Sequence, residues 1–258
     1  MPRTTSLLIL AVLVLLEHGA ALGSGPDLPD LHLAGEFVIL AKAGITNAGI
    51  TDVEKSKITG DIGVYPGMEA SLTGFSLVMD TSDEFAGQFA TSAQQVDDGT
   101  RRVYAANYAS PTPSTLETAI GDMDLAYTAA SSAPCATLPD CTTYDENNLH
   151  GDILPGLYKW GGAVTTSEDI TLSGGENDTW IFHSAGAVNI AANTLVNLGE
   201  AKAENIFWVI AGAMTVGENA HLEGTVIVKS AATFHKGASL NGRLFAETIT
   251  LQKNIITE

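Results

Sequence analysis

Six positions carry neutral groups that hydrogen-bond water without titrating or attacking anything. Thr165, Asn189, Thr215, Thr233 and Thr250 each close a triplet: Ala163-Val-Thr, Ala187-Val-Asn, Ala213-Met-Thr, Ala231-Ala-Thr and Thr248-Ile-Thr. The triplets start 24, 26, 18 and 17 residues apart, and Thr46, behind Gly44 and Ile45, matches them from the other end of the chain. In a strand, period-2 geometry sends Val164, Val188, Met214 and Ile249 inward and the hydroxyls and amide outward. Stacked strands repeat at about 4.7 to 4.9 Å, and alternate residues on one strand lie about 6.6 Å apart. Hydroxyls on such a grid anchor water while the neighbouring methyl groups limit where it sits. That ordering of surface water is the chemistry these residues offer.

A period near 18 is one turn of a β-solenoid, whose coils stack equivalent positions into ladders. About nine residues after each triplet begins comes an apolar residue, any residue and glycine, as in Leu172-Ser-Gly, Leu222-Glu-Gly and Leu240-Asn-Gly. A third, aliphatic and aromatic phrase follows: Trp180-Ile-Phe, Ile206-Phe-Trp-Val-Ile, Thr225-Val-Ile-Val and Arg243-Leu-Phe-Ala. Three short strands per turn predict a coil of triangular section, and a mainly β fold. Phe37 to Thr46 reads as the third phrase running into the first, as Val226 to Thr233 does. Ile58-Thr-Gly-Asp-Ile62 and Leu149-His-Gly-Asp-Ile153 read as further copies of the second phrase. The N-terminal segment thus belongs to the same solenoid.

Between them, from about 81 to 133, the periodicity changes. Leu116, Ile120, Met123, Tyr127 and Ala130 fall at helical spacing behind Pro113 and a capping-box pattern, Ser114-Thr-Leu-Glu117, predicting a helix of about five turns. A shorter helical stretch is expected within Asp83 to Tyr108, with aromatic residues at Phe85, Phe89 and Tyr104. Ile206 to Ile210 is apolar at consecutive positions, so that strand is covered on both faces, and the long helix is placed outside it.

Residues 7 to 16 are an apolar run behind Arg3, followed by small residues around Ala20 and Gly23, which reads as a secretory signal over 1–23. The rest, 24–258, is expected to be one secreted, extracellular domain without a membrane span. Thirty acidic against 12 basic residues give a net charge of −18, which excludes nucleic acid and anionic lipid as partners. Cys135 and Cys141, the only cysteines, are expected to pair in an oxidising compartment and staple a loop containing Pro134 and Pro139. Asn177-Asp-Thr179 is a glycosylation sequon. The histidines are dispersed without metal-ligand spacing, and no cofactor or metal is expected.

Several longer stretches resemble the DUF3494 ice-binding proteins. They are Gly60-Asp-Ile-Gly-Val-Tyr-Pro66, Tyr108-Ala-Ser-Pro-Thr-Pro-Ser-Thr-Leu116, Leu154-Pro-Gly-Leu-Tyr-Lys-Trp160, Asp169-Ile-Thr-Leu-Ser-Gly-Gly175, Ala203-Glu-Asn-Ile-Phe-Trp208 and Ala238-Ser-Leu-Asn-Gly-Arg243. The resemblance runs from about Ala34 to Glu258. It implies a discontinuous right-handed three-faced β-helix with a long helix alongside, and adsorption to ice, with thermal hysteresis and inhibited recrystallisation. In some members the ice-contacting face carries Thr, a small residue, any residue, then Thr or Asn. The nearest match to that pattern is Lys236-Gly-Ala-Ser239, on the strand type that also holds Thr171 and His221, with Asn241 following Ser239. Lys236 replaces Thr there, and Glu168, Glu218 and Glu223 lie near the same edge. Two faces are therefore candidates, and composition favours the first-phrase face, which carries so little charge in so acidic a chain.

Two other classes compete. A polysaccharide-degrading β-helix needs clustered carboxylates in a groove, whereas Asp61, Asp152, Asp169 and Asp178 are scattered over phrases that read as turns, where Asp caps backbone amides. The chain is not expected to be an enzyme. An extracellular structural or adhesive module binding a polymer would expose Trp, Tyr or Arg anchors, and the open face offers Ala and Thr instead. Tyr158 and Trp160 are expected to pack the solenoid, and the protein is expected to be a monomer.

Overall fold

Parallel pairing between equivalent positions of successive coils builds this molecule. The computed structural model describes residues 24–49, 56–93, 101–134, 142–143 and 147–258. Along the third-phrase side the strands stack in the order Thr142–Thr143, Gly156–Trp160, Trp180–Ser184, Ile206–Ile210, Thr225–Phe234, Leu244–Gln252, Phe37–Ala48, Asp61–Val64 and Val103–Ala105. Phe37–Ala48 therefore lies against the C-terminal coil, and the chain returns to the far end before it continues. That is a discontinuous β-helix, right-handed as parallel crossovers almost always are.

The core forms ladders. Tyr158, Phe182 and Trp208 are in register on adjacent rungs, their rings stacked at 5.5 and 4.3 Å between centroids, and Trp160 stacks on Tyr158 and Phe182. Buried indoles need an acceptor: Trp180 donates to the Ile153 carbonyl at 3.2 Å and Trp208 to that of Glu223 at 3.0 Å. The glycine of the second phrase marks a corner. Gly60, Gly224 and Gly242 have φ of 140°, 104° and 139°, and a Cβ on Gly242 would strike the Gly224 carbonyl, so no side chain fits.

Helix α1, Thr112–Ser132, is 21 residues long and spans about 31 Å. The distance from the Val103–Ala105 rung to the Gly156–Trp160 rung is about 34 Å at β spacing, so its length matches the number of coils it must cross. It buries Leu116, Ala119, Ile120, Met123, Ala126 and Ala130 against Leu40, Leu157, Ile181, Phe207, Val209, Ile227 and Phe245. Polar ties fix it axially. Lys42 and Lys229 both reach Asp124, at 2.7 and 2.6 Å, Lys159 Nζ donates to the Ser131 and Ala133 carbonyls at the helix C-terminus, and Asp122 accepts from the Leu33 amide. The N-terminal lead is docked as well: Ser24 N donates to Asp178 at 2.7 Å and Thr179 Oγ1 to the Pro26 carbonyl at 2.6 Å.

Three expectations are corrected. The stretch from Asp83 to Tyr108 holds no helix among its described residues; Leu77–Met79 and Ala90–Ser92 pair antiparallel, and Ala90 meets Val103 of Val103–Ala105. Phe85 and Phe89 have helical spacing because both rings pack beneath the Arg102 guanidinium, at 5.4 and 4.2 Å. The N-cap is Pro111 rather than Ser114, whose hydroxyl, inside the first turn, donates to the Pro111 carbonyl. Leu149-His-Gly is not a second phrase either. Asn148 bridges Thr165 on the first face, and Ile153, paired with Leu172, takes the second-phrase position.

Burial alone would raise the Asp124 carboxyl, but hydrogen bonds from Lys229 and Lys42, and their charges, outweigh it and hold its pKa below the ordinary 3.8. A depressed carboxyl contributes stability above its unfolded pKa that is lost as pH falls through the folded one. Asp124→Asn should therefore lower the urea unfolding free energy at pH 7 by about 1 kcal/mol. The gap to wild type should stay constant above pH 3.8 and close below it; equal stability at pH 7 would contradict the clamp.

Candidate functional site

The first face is a single seven-rung sheet. Thr165, Asn189, Thr215, Thr233, Thr250, Thr46 and Thr73 are paired in that order across Val164–Thr166, Val188–Ile190, Met214–Val216, the second halves of Thr225–Phe234, Leu244–Gln252 and Phe37–Ala48, and Leu72–Thr73. All seven are exposed or half-buried, whereas Val164, Val188, Met214, Ala232, Ile249, Ile45 and Leu72 are buried beneath them. The outward column on one side holds Ala163, Ala187, Ala213, Ala231, Thr248 and Gly44. On the other side stand Ser167, Ala191, Gly217, His235, Gln252 and Ala48. None of these positions is Asp, Glu, Lys or Arg. The register shifts fall between Val228 and Ala231 and between Ala41 and Gly44, before each strand enters the face, so the face keeps its register throughout.

Every residue assigned to this face from the sequence is on it. Thr73, in the triplet Ser71-Leu-Thr, was not among the residues assigned; its hydroxyl donates to that of Thr46 at 3.0 Å. Beneath the face, Thr166 is fully buried with no partner for its hydroxyl, where the following rungs have Ile190 and Val216.

The second face is broken and charged. Gly151–Ile153, Ile170–Leu172 and Val196–Leu198 form one sheet, and His221–Glu223, Ser239–Asn241, Ile255–Thr257 and Lys57–Ile58 another, with one Leu195 to His221 bridge between them. One outward column runs Asp152, Thr171 and Asn197 in the first sheet, and Glu223, Asn241 and Thr257 in the second. Another holds His221, Ser239, Ile255 and Lys57. The polar groups here bond each other: His221 contacts Ser239 Oγ at 2.8 Å and Glu223 at 2.9 Å, and Asn241 donates to Glu223 at 2.7 Å.

A serine, a histidine and a glutamate in contact invite comparison with a nucleophilic triad. The supporting parts are missing around it. The Ser239 amide is spent on the Ala220 carbonyl at 2.9 Å, and the residues stand on a sheet surface rather than in a cleft. Three of the four scattered aspartates accept backbone amides: Asp61 from Arg102, Asp169 from Leu195 and Asp178 from Gly175; Asp61 and Asp152 lie in strands rather than turns, and Asp152 faces outward on the second face. Burial raises the Asp61 carboxyl above its usual range, and burial, aided by the charge on Lys159, lowers His183. No group of three or more potential metal ligands occurs among the described residues. Asn177 is exposed in a turn; Cys135, Cys141 and the signal segment 1–23 lie outside the described residues.

The sequence model of a family described as Ice-binding-like matches residues 39–257. The chain belongs to this family. An ice-binding protein of Typhula ishikariensis, K3-B1, is 43% identical over 231 residues, covering 89% of this chain and 87% of its own. One from Flavobacterium frigoris is 36% identical over 249 residues, covering 93% and 80%. The crystal structure of an ice-binding protein from an Arctic yeast superposes with a TM-score of 0.79 at 34% identity, covering 89% of this chain and 94% of that one.

The family span takes in all seven rungs of the first face, so this ice-binding-like chain uses its matched region to hold that plane. Side-chain direction on it is testable by stability. Met214→Ala should cost about 2 to 5 kcal/mol in urea unfolding, whereas Thr215→Lys, one residue on, should stay within about 0.5 kcal/mol of wild type. Comparable losses in both would mean that the strand does not alternate as described.

Proposed function

We propose that the chain adsorbs to ice through the first face, opening a gap between melting and freezing temperatures and inhibiting recrystallisation. The supporting observation is the in-register plane running from Thr165 to Thr73, flanked by alanine, glycine, serine and threonine with one His235 and one Gln252, and by no Asp, Glu, Lys or Arg. Charged side chains hold water strongly in arrangements unlike a crystal lattice, so an uncharged plane with regular hydroxyls and methyls allows its own hydration layer to join the solid. Pinned molecules force the front to grow between them with curvature, which lowers its local freezing point. The relatives' names agree with this reading.

The last three places of the ice-contacting pattern, a small residue, any residue, then Thr or Asn, recur on this face at Ala163 to Thr165, Ala187 to Asn189, Ala213 to Thr215 and Ala231 to Thr233, with Gly162, Gly186, Gly212 and Ser230 where the pattern has its first Thr. That favours it over the second face, where Thr171, His221, Ser239 and Asn241 are interspersed with Asp152, Glu223 and Lys57. The chain acts without catalysis and as a monomer, and the apolar run at 7–16 directs its secretion.

The test is adsorption of fluorescently labelled protein to a single-crystal ice hemisphere. Wild type should decorate defined planes, Thr215→Tyr should lose at least tenfold of the surface signal with its unfolding midpoint unchanged, and Thr171→Tyr should bind like wild type. Retention by Thr215→Tyr with loss by Thr171→Tyr would move the site to the second face. A wild type that leaves ice unlabelled would end the proposal.

A further inference from the structure

Three lysines line the corner where the first face turns into the second. Lys236 follows His235 in the turn before Ser239–Asn241, Lys253 occupies the equivalent turn one rung on, before Ile255–Thr257, and Lys57 opens the strand paired with Ile255. With Asn219, Asn254 and Ile255 they line one cavity of about 450 Å³. Asn219 and Lys253 adopt left-handed backbone, at φ 57° and 56°, and Gly237 between them lies at 77°. The corner thus flares on three successive rungs and leaves a hollow.

The company these lysines keep is unusual for this chain. The other described lysines are satisfied: Lys42 and Lys229 by Asp124, Lys202 by Glu176 at 3.3 Å, and Lys159 by the helix carbonyls. Lys57, Lys236 and Lys253 are exposed, and their side chains make no ion pair or hydrogen bond among the described residues. In a protein with 30 acidic and 12 basic residues, this is a local concentration of positive charge without an ion-pair partner among the described residues. Neighbouring coils are only about 4.7 to 4.9 Å apart, so the three charges repel one another until something neutralises them.

We propose that this corner binds a compact, multiply charged anion of the polycarboxylate or phosphate-ester class. A water molecule's share of volume is about 30 Å³, so the hollow has room for a small organic anion with several water-sized groups. The ammonium groups supply charge, Asn219 lines the wall, Asn254, its side-chain amide bonded to the His235 and Ala238 carbonyls, holds the turn beneath it, and the 55% exposed Ile255 offers an apolar floor for the carbon skeleton. A long polyanion fits less well, because beyond the corner it would run along a surface whose net charge is −18. Binding ties together the chain's early strand Lys57–Ile58 and its last two turns, and so stabilises the coil where the two ends of the sequence meet. The hollow opens beside the first face, so occupancy leaves the threonine plane free.

Calorimetric titration of the full chain with citrate and with pyrophosphate at low ionic strength tests this. Saturable one-to-one binding should appear, accompanied by a higher melting temperature. Affinity should fall at least tenfold in Lys236→Gln/Lys253→Gln, stay unchanged in Lys202→Gln, and weaken as salt is raised. Citrate binding alone assigns the polycarboxylate class, pyrophosphate binding alone the phosphate class, and equal binding shows that charge and size suffice. Binding of neither, or equal binding by the double variant and wild type, overturns the proposal. Wild-type labelling of ice is read without any added anion, so failure here and failure of the ice reading are separable.

Discussion

The in-register parallel stacking of short strands is the constraint from which the rest follows. No single coil has enough apolar surface to fold alone, and stacking multiplies whatever stands at one position into a column. Inside, that multiplication makes the ring stack of Tyr158, Phe182 and Trp208. Outside, the same register turns separate threonines into a plane. A slip of one residue would send the outward column into the core, so the core packing that holds register also preserves the surface grid. Flatness is therefore a by-product of the interior, and it persists for seven rungs because the irregularities are confined to the corners.

Helix α1 serves the same end from the third side. The discontinuous chain must return along the whole stack, and a helix of 21 residues does so while covering the apolar outer surface of the third-phrase strands. Lys42 and Lys229 come from different coils and hold one carboxylate, so the clamp at Asp124 ties the N-terminal and C-terminal parts of the stack to one point on the helix. With the third side closed and the second broken into two charged sheets, only the first remains as a continuous uncharged surface.

Much of this was legible in the residues. The triplet repeat located the central column of the first face except Thr73 and the flanking column from Ala163 to Gly44, because alternation of small or polar with apolar residues carries both the strand and its direction; the column from Ser167 to Ala48 lies past the triplets and was not assigned. The 3.6-residue spacing from Leu116 to Ala130 located the helix and the side it covers. Failures came where two patterns share residues. Phe85 and Phe89 sit four apart as they would on a helix, yet they are brought together by Arg102 above a hairpin. Leu149-His-Gly, where the first face turns into the second, and Leu72-Thr-Gly, on the first face, copy the phrase that ends the second face, and only strand pairing separates them from Leu240-Asn-Gly. The lysine corner was invisible for a different reason: Lys57 is 179 residues from Lys236 in sequence, and the discontinuity that brings them together is a property of the fold.

The account turns on whether the first face orders water on its own repeat. The most direct measurement is a high-resolution crystal structure at low temperature in a lattice that leaves this face uncovered. The account predicts ordered waters in files between the threonine column and its neighbours, repeating at the strand spacing from Thr165 to Thr73 and bonded to successive hydroxyls. Waters scattered without that repeat, or confined to the charged second face, would contradict it.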